Sequence, residues 1–438
     1  MDAVVRGAAL LVVLVTTPLM DAAGQDWRLR SAAEVSVSTL LDTSKLLRSS
    51  LDGGLRFAPE VTAETDRFSF TGRVSIAGDV EETVPRIRLE ALDLSIFPTT
   101  WSTIRVGRFR YLPGTASFIS PTNYFLTTDY EALLTWSAAA ALQPRDLLQG
   151  TVFVDRYFAT ATVAPGVTKY PLPEPSSPWF PTGDVPQQLS LRIPPGARME
   201  LDQIHVEDLV VPTSVSDVST SIEVGASFRW FDLSLFYFHG QNNTPVLQSE
   251  LDFPQGLFEN YEVRIHPQVT FVDAFGLAAT GVCDRVRMFL DLSYSLNEVF
   301  NTERLTVDNF TTELAETPWI EGTVGASYRF SMPELLLSVE YHRGYAFGEV
   351  ERIVTPVLSS ALAVDARLQL LDRTLRIQVT GLLSFQDYSW ALVPAVTYAP
   401  TAAMDISLRA PQFFGEETGE LGQFSDNYLV GLTLGWRF

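Results

Sequence analysis

The sequence predicts an all-β chain, a transmembrane antiparallel up-and-down β-barrel of about 18 strands with short turns at one end and long loops at the other. Three observations predict it. Apolar and polar residues alternate with period two along most of the 438 residues. No stretch beyond the leader approaches the roughly 18–20 consecutive apolar residues that a membrane-spanning helix needs. A slightly positive mean hydropathy coexists with a formal charge of −21. A wall that is apolar on one face and charged on the other produces all three.

The first 24 residues read as a secretory signal: Arg6, an apolar core GAALLVVLVTTPLM, then Ala22-Ala23-Gly24 as the cleavage site. Residues 25–438 are then a single barrel. Its last strand shows the alternation most clearly. Tyr428, Val430, Leu432, Leu434, Trp436 and Phe438 share one face, and Gly431, Thr433, Gly435 and Arg437 the other. Phe68, Phe70, Val74 and Ile76 alternate with Ser69, Thr71, Arg73 and Ser75, and Leu375, Ile377 and Val379 with Arg376, Gln378 and Thr380.

Tight turns are expected at Thr65-Asp66, Pro98–Trp101, Gln143–Asp146, Phe231-Asp232, Cys283–Arg285, Ser331–Glu334, Asp372-Arg373 and Pro400–Ala402. Between them lie mostly longer polar stretches, near 41–52, 79–85, 110–130, 161–217, 242–258, 300–318, 348–357, 387 and 412–426. Short periplasmic turns alternating with extracellular loops give about 18 strands and place both chain ends on the periplasmic side. Counts of 16 or 20 stay open, because Glu259–Val282 is long enough to hide a hairpin. The strand Arg86–Phe97 loses its phase near Ala91-Leu92 and calls for a β-bulge. Phe97, Trp101, Trp230, Phe330, Tyr398 and Trp436 gather at the tight-turn ends as an interfacial girdle. The loop 161–217 carries KYPLPEPSSPWFPTGDVP, too rich in Pro for a strand.

Composition removes several classes. The single Cys283 excludes an intrachain disulfide, and a pI near 4.6 argues against nucleic acid as a partner. His205, His239, His266 and His342 form no metal-binding or nucleophile motif, so no catalytic residue, metal or cofactor is expected. Acidic loop residues such as Glu416, Glu417, Glu420 and Asp426 read as solvated charge. The positive charge is almost all Arg, with Lys45 and Lys169 the only lysines. Alternation aims many arginines inward, and Arg73, Arg86, Arg88, Arg105 and Arg376, with Glu340 and His342, are the candidate pore-lining residues.

The terminal strand ending on Phe438 resembles the C-terminal signature of bacterial outer-membrane barrels. The resemblance implies that Tyr428, Trp436 and Phe438 are read by the barrel-assembly machinery. VGRFRYLPGTASFISPTNYF (Val106–Phe125) and FRWFDLSLFYFHGQNNTPV (Phe228–Val246) resemble large porin-like barrels of about 16–18 strands. The first sits where such porins often carry a loop folded into the pore. The long Pro-rich loop departs from general diffusion porins.

The expected function is therefore an outer-membrane porin-like channel for passive diffusion of small polar solutes with a mild preference for anions, surrounded by outer-membrane lipid and able to form a homo-oligomer. The alternatives are an outer-membrane hydrolase using His342 and Glu340, and a structural or adhesive barrel with a blocked lumen. In the channel reading, Arg110–Tyr130 turns at Pro113, Gly114 and Pro121 into the lumen opposite Arg86 and Arg88, with Phe118, Ile119, Tyr124 and Phe125 against the wall. Otherwise it lies over the rim.

Overall fold

The structure, a computed structural model, describes residues 26–42, 49–79, 86–129, 141–166, 179–180, 201–207, 218–253, 261–306, 310–347, 353–354, 356 and 358–437. The expected leader, residues 1–24, and most of the Pro-rich loop lie outside them.

The wall is a ring of antiparallel strands. In chain order these are β1 (Asp26–Asp42), β2 (Ser49–Glu64), β3 (Phe68–Asp79), β4 (Arg86–Thr99), β5 (Ser102–Phe109), β6 (Arg145–Val154) and β7 (Tyr157–Ala164). After β8 (Leu201–Val206), which is not part of the wall, come β9 (Ser219–Ser227) and β10 (Phe231–Gln241). After β11 (Val246–Asp252) and β12 (Tyr261–Gln268), also outside the wall, it resumes with β13 (Phe271–Cys283), β14 (Val286–Leu305), β15 (Thr312–Phe330) and β16 (Glu334–Ala346). It ends with β17 (Ser360–Leu370), β18 (Leu375–Ser384), β19 (Trp390–Thr401), β20 (Met404–Arg409), β21 (Gln412–Phe414) and β22 (Asn427–Arg437).

Each wall strand pairs with the next, and β22 pairs back onto β1 from Ala32↔Arg437 to Asp42↔Asn427, which closes the ring. Segments β20 and β21 both pair with β19 and are one strand interrupted at Pro411, which has no N–H to offer the ladder. Counted so, the wall has 18 strands.

The alternation settles into the expected faces. Ile104, Val106, Leu148, Val152, Ile222, Val224, Val324, Leu432 and Leu434 are exposed on the outside, while Asp93, Thr162, Glu223, Ser293, Thr323, Glu340 and Asp365 are buried on the inside. Large exposed aliphatics in every second position are stable against lipid, not water. Trp101, Trp230, Phe330, Tyr398 and Trp436 are exposed at the tight-turn end. The bulge lies one residue from its expected place: Arg73 pairs with Ala91 but Val74 with Leu89, leaving Glu90 over. On the inner face rings lie close against glycines of the neighbouring strand. Phe236 covers Gly276 and Phe289 covers Gly325, so closely that a Cβ there would overlap the ring.

Two expectations are corrected. The turn placed at Gln143–Asp146 falls instead at Asp155-Arg156, where β6 and β7 meet and Asp155 takes a positive φ of 52°. Asp tolerates that left-handed conformation better than most residues. Arg145 and Asp146 already belong to β6, so the loop after β5 runs from 110 to 144. The long segment 259–282 does contain two strands, but they are not a wall hairpin. β12 leaves the wall and joins β11 and β8 in a separate three-stranded sheet, with β8 parallel to β12.

That sheet sits at the loop end. Its buried face carries Leu251, Val263 and Ile265 with Phe180. It is joined to the extended tops of β14 and β15 by the Glu250↔Thr311 bridge and by Ser249 N donating to Thr312 Oγ1 at 3.0 Å. Trp179, the residue before Phe180, packs against Ala361, Ala391 and Phe413 on the inner wall at β17–β21 and against Leu421 and Phe424. Of the loop between β7 and β9, Trp179 and Phe180 thus touch the inner wall at β17–β21 and the three-stranded sheet.

Candidate functional site

The loop after β5 folds into the barrel. Pro113-Gly114 turns it toward the wall, and Gly114 is required there twice over: its φ is +119°, and a Cβ would meet Asp291 Oδ2 at 2.7 Å. Thr122 Oγ1 donates to the Pro113 carbonyl and closes the neck of the excursion. Between these points two carboxylates hold the chain. Asp291 accepts from Thr115 N and Ala116 N, both at 2.7 Å, and from Thr115 Oγ1 at 3.1 Å. Glu340 accepts from Ser117 N and Phe118 N, both at 3.1 Å. Carboxylates accepting backbone N–H bonds make strong, short anchors.

Thr323 donates to the Ile119 carbonyl at 2.7 Å, so the 2.9 Å contact with His342 Nδ1 is a bond the imidazole donates. On the return path Tyr124 bonds Ser293 and Ser295, the latter at 3.1 Å. Its ring stacks on Phe238 at 4.8 Å, and Phe125 meets the same ring edge-on at 5.2 Å. At the root, Tyr111 donates to Glu223 at 2.6 Å; burial first, and the Glu223 charge second, push that phenol well above its usual value.

Depth distinguishes this arrangement from a rim loop. Asp291 is the sixth residue of β14 and Glu340 the seventh of β16 from the periplasmic turns. A strand crosses the bilayer in roughly 9–11 residues, so the anchors stand near mid-membrane. The loop runs along the wall from β5 to β16, and Ile119 reaches the cluster on β17–β21.

The candidate residues thus divide into two groups. Glu340 and His342 lie under the loop, only 3% and 4% exposed, where they position it. The arginines lie on the wall the loop leaves uncovered. Arg73 pairs with Glu60 through Nε at 2.8 Å. Arg105 pairs with Asp93 at 3.0 Å and lies 3.9 Å over the Phe109 ring. Arg88 on β4 and Arg376 on β18 are exposed and, among the described residues, have no carboxylate partner. Arg86 lies on β4, but its side chain, like that of Tyr428 and all of Phe438, is outside the described residues. Trp436 is exposed in the girdle, opposite Met404.

Asp291 and Thr323 are the anchors that sequence reasoning missed. Both are inward by alternation, and the signal that could have selected them is the run of free backbone amides in a Pro-flanked loop, which needs acceptors when buried.

The fold and this site define a closed antiparallel β-barrel with an apolar exterior and an internal loop. No family model matches the chain, and no curated protein matches it. Solved structures of similar shape include OmpF of Salmonella typhi in complex with daunomycin, at 10% identity, 95% of this chain and 98% of that chain covered, and a TM-score of 0.44. A variant of the porin of Rhodopseudomonas blastica aligns at 11% identity over 94% of this chain and 100% of that one, with a TM-score of 0.42.

Proposed function

We propose that this chain is an outer-membrane channel for passive diffusion of small polar solutes, with a mild preference for anions, exported by a signal peptide cut near Gly24. The observation that carries the reading is the loop held at mid-membrane depth by Asp291 and Glu340. A latched loop narrows a polar lumen to a slot, and a slot bordered by charge selects ions.

Sign follows from what borders it. Residues 110–128 of the loop contain no carboxylate, while Arg88 on the facing wall, and Arg376 nearer the periplasmic turns, have no carboxylate partner among the described residues. The preference is mild because Arg73, Arg105, Arg367 and Arg437 are neutralised by Glu60, Asp93, Asp365 and Asp405. Single-channel steps in planar bilayers, with reversal potentials of anion sign, test the reading. A silent bilayer overturns it.

A second reading, a barrel with a blocked lumen, is favoured by Trp179 and Phe180, which pack at the extracellular end against the inner wall and the three-stranded sheet. Trp179→Ala separates the two: a channel that conducts only in this variant is blocked in the wild type. The hydrolase reading has no comparable support, since His342 is buried beneath the loop and bonded to Thr323. Export, assembly through the terminal strand and a homo-oligomeric state belong to the same proposal. N-terminal sequencing of the mature protein and mass measurement in detergent test the first and the last.

A further inference from the structure

Three basic groups, Arg108, His239 and Arg343, stand among the described side chains on the outward face of the wall strands near their extracellular ends. Two are neutralised by a neighbour: Arg108 of β5 pairs with Asp146 of β6 at 2.7 Å, and His239 of β10 lies 2.8 Å from Asp273 of β13. The third is Arg343 of β16. Its direction is fixed by its neighbours, because Glu340 and His342 are buried inward and Tyr341, Arg343 and Tyr345 therefore face out. It is exposed, and among the described residues Nη1 donates to the Ser360 hydroxyl at 3.1 Å. A guanidinium carries five donors, so most of them point to something outside the protein.

The surroundings are aromatic. Tyr341 meets Phe385 at 6.0 Å, Tyr345 meets Phe347 at 5.4 Å, and Phe347 meets Tyr294 at 6.0 Å. Strands β17 and β18 end at this level, with Ser360 opening β17 and Ser384 closing β18. Aromatic rings at such a level mark the boundary between acyl chains and head groups. A bare guanidinium beside hydrocarbon is costly unless an anion joins it.

We propose that Arg343 is the head-group clamp of a lipid site on the outer wall, taking the phosphate of a phosphate-bearing lipid in the extracellular leaflet. The guanidinium fork matches two phosphate oxygens at once, which a point charge cannot do. Tyr341 and Phe385 form the surface past which its acyl chains run toward mid-membrane, while Tyr345 and Phe347 flank the head group. The site rests on the membrane-spanning reading of the barrel but not on conduction, because Arg343 points away from the lumen.

The test is native mass spectrometry of the full chain in detergent, titrated with phosphatidic acid and with diacylglycerol of the same acyl chains. The wild type holds one phosphatidic acid about tenfold or more tighter than diacylglycerol, as a charge-assisted bond implies. Arg343→Gln removes that preference, Arg343→Lys keeps part of it, and the channel conductance of both stays at the wild-type value. A lost lipid preference and a silent channel are thus separate results. The proposal is overturned if Arg343→Gln binds phosphatidic acid as the wild type does. It is equally overturned if millimolar inorganic phosphate displaces the lipid completely, because the site is then one for soluble anions.

Discussion

Replacing Asp291 and Glu340 together by Ala unlatches the inward loop. Asp291 is fully buried and takes three hydrogen bonds from Thr115 and Ala116, and Glu340 takes the amides of Ser117 and Phe118. Hydrogen bonds to a charged group contribute about 1.5–3 kcal/mol each, but they are not additive and lumen water recovers part of the loss. A cost of about 3–5 kcal/mol to the docked loop is therefore the working figure, the size seen when one side of a buried charged interaction is removed. That lowers the ratio of docked to undocked loop by a factor of roughly 10² to several times 10³. Neither side chain belongs to the strand ladder, so the unfolding midpoint of the barrel should barely move. Single-channel conductance should rise and become noisy, and the amides of residues 115–118 should exchange with solvent much faster. Faster exchange with unchanged conductance refutes the constriction. Unchanged exchange refutes the latch itself.

Further outcomes follow from other contacts. Gly276→Ala drives a methyl into the Phe236 ring, and the overpacking should destabilise the barrel by about 1–3 kcal/mol, read as an earlier urea midpoint. Arg88→Gln with Arg376→Gln removes two lumen cations that have no carboxylate partner among the described residues and should move the reversal potential toward cation preference; no movement would show that selectivity lies elsewhere. Burial raises the Asp387 carboxyl, but hydrogen bonds from Ser389 N at 3.0 Å, from its hydroxyl at 2.7 Å and from Glu420 N outweigh this and hold it below its ordinary 3.8. Its contribution is fully present above 3.8 and is lost as the pH falls below that value, so the loop 415–426 should loosen in acid. Tryptophan fluorescence from Trp179, which packs on Leu421 and Phe424, should report an acid transition that Asp387→Asn lacks.

Most of the wall was legible because the period-two pattern is a direct record of two solvents. Ile222, Val224, Ser221 and Glu223 reveal their faces without any long-range information. The bulge beside Ala91-Leu92 was legible for the same reason, as a break in phase. The turn at Asp155-Arg156 was not, because the residues flanking it, Val152–Val154 and Tyr157-Phe158, are apolar on both sides and hide the alternation. The sheet of β8, β11 and β12 escaped because its strands are separated in sequence and pair parallel in one place, which no local pattern marks. In the site, the inward loop was readable from Pro113, Gly114 and four apolar residues. Its partners were not, since Asp291 and Glu340 differ from other inward acids only in what lies opposite them. The arginines assigned to the pore were read individually, whereas Glu60 and Asp93 neutralise two of them across strand pairs.

The pairing of β22 with β1 makes the registers of the whole wall one linked quantity. In an open sheet a strand can slide and disturb only its neighbours. In a ring the offsets must add to a fixed shear, so a slip at one seam has to be absorbed at another. A slip of one residue also turns a strand's lipid face into the lumen, so tolerated errors come in steps of two. Such a wall either closes in a single register or leaves two raw edges, and the leftover residues near Glu90 and between Ser295 and Glu298 are where it adjusts its circumference to meet itself.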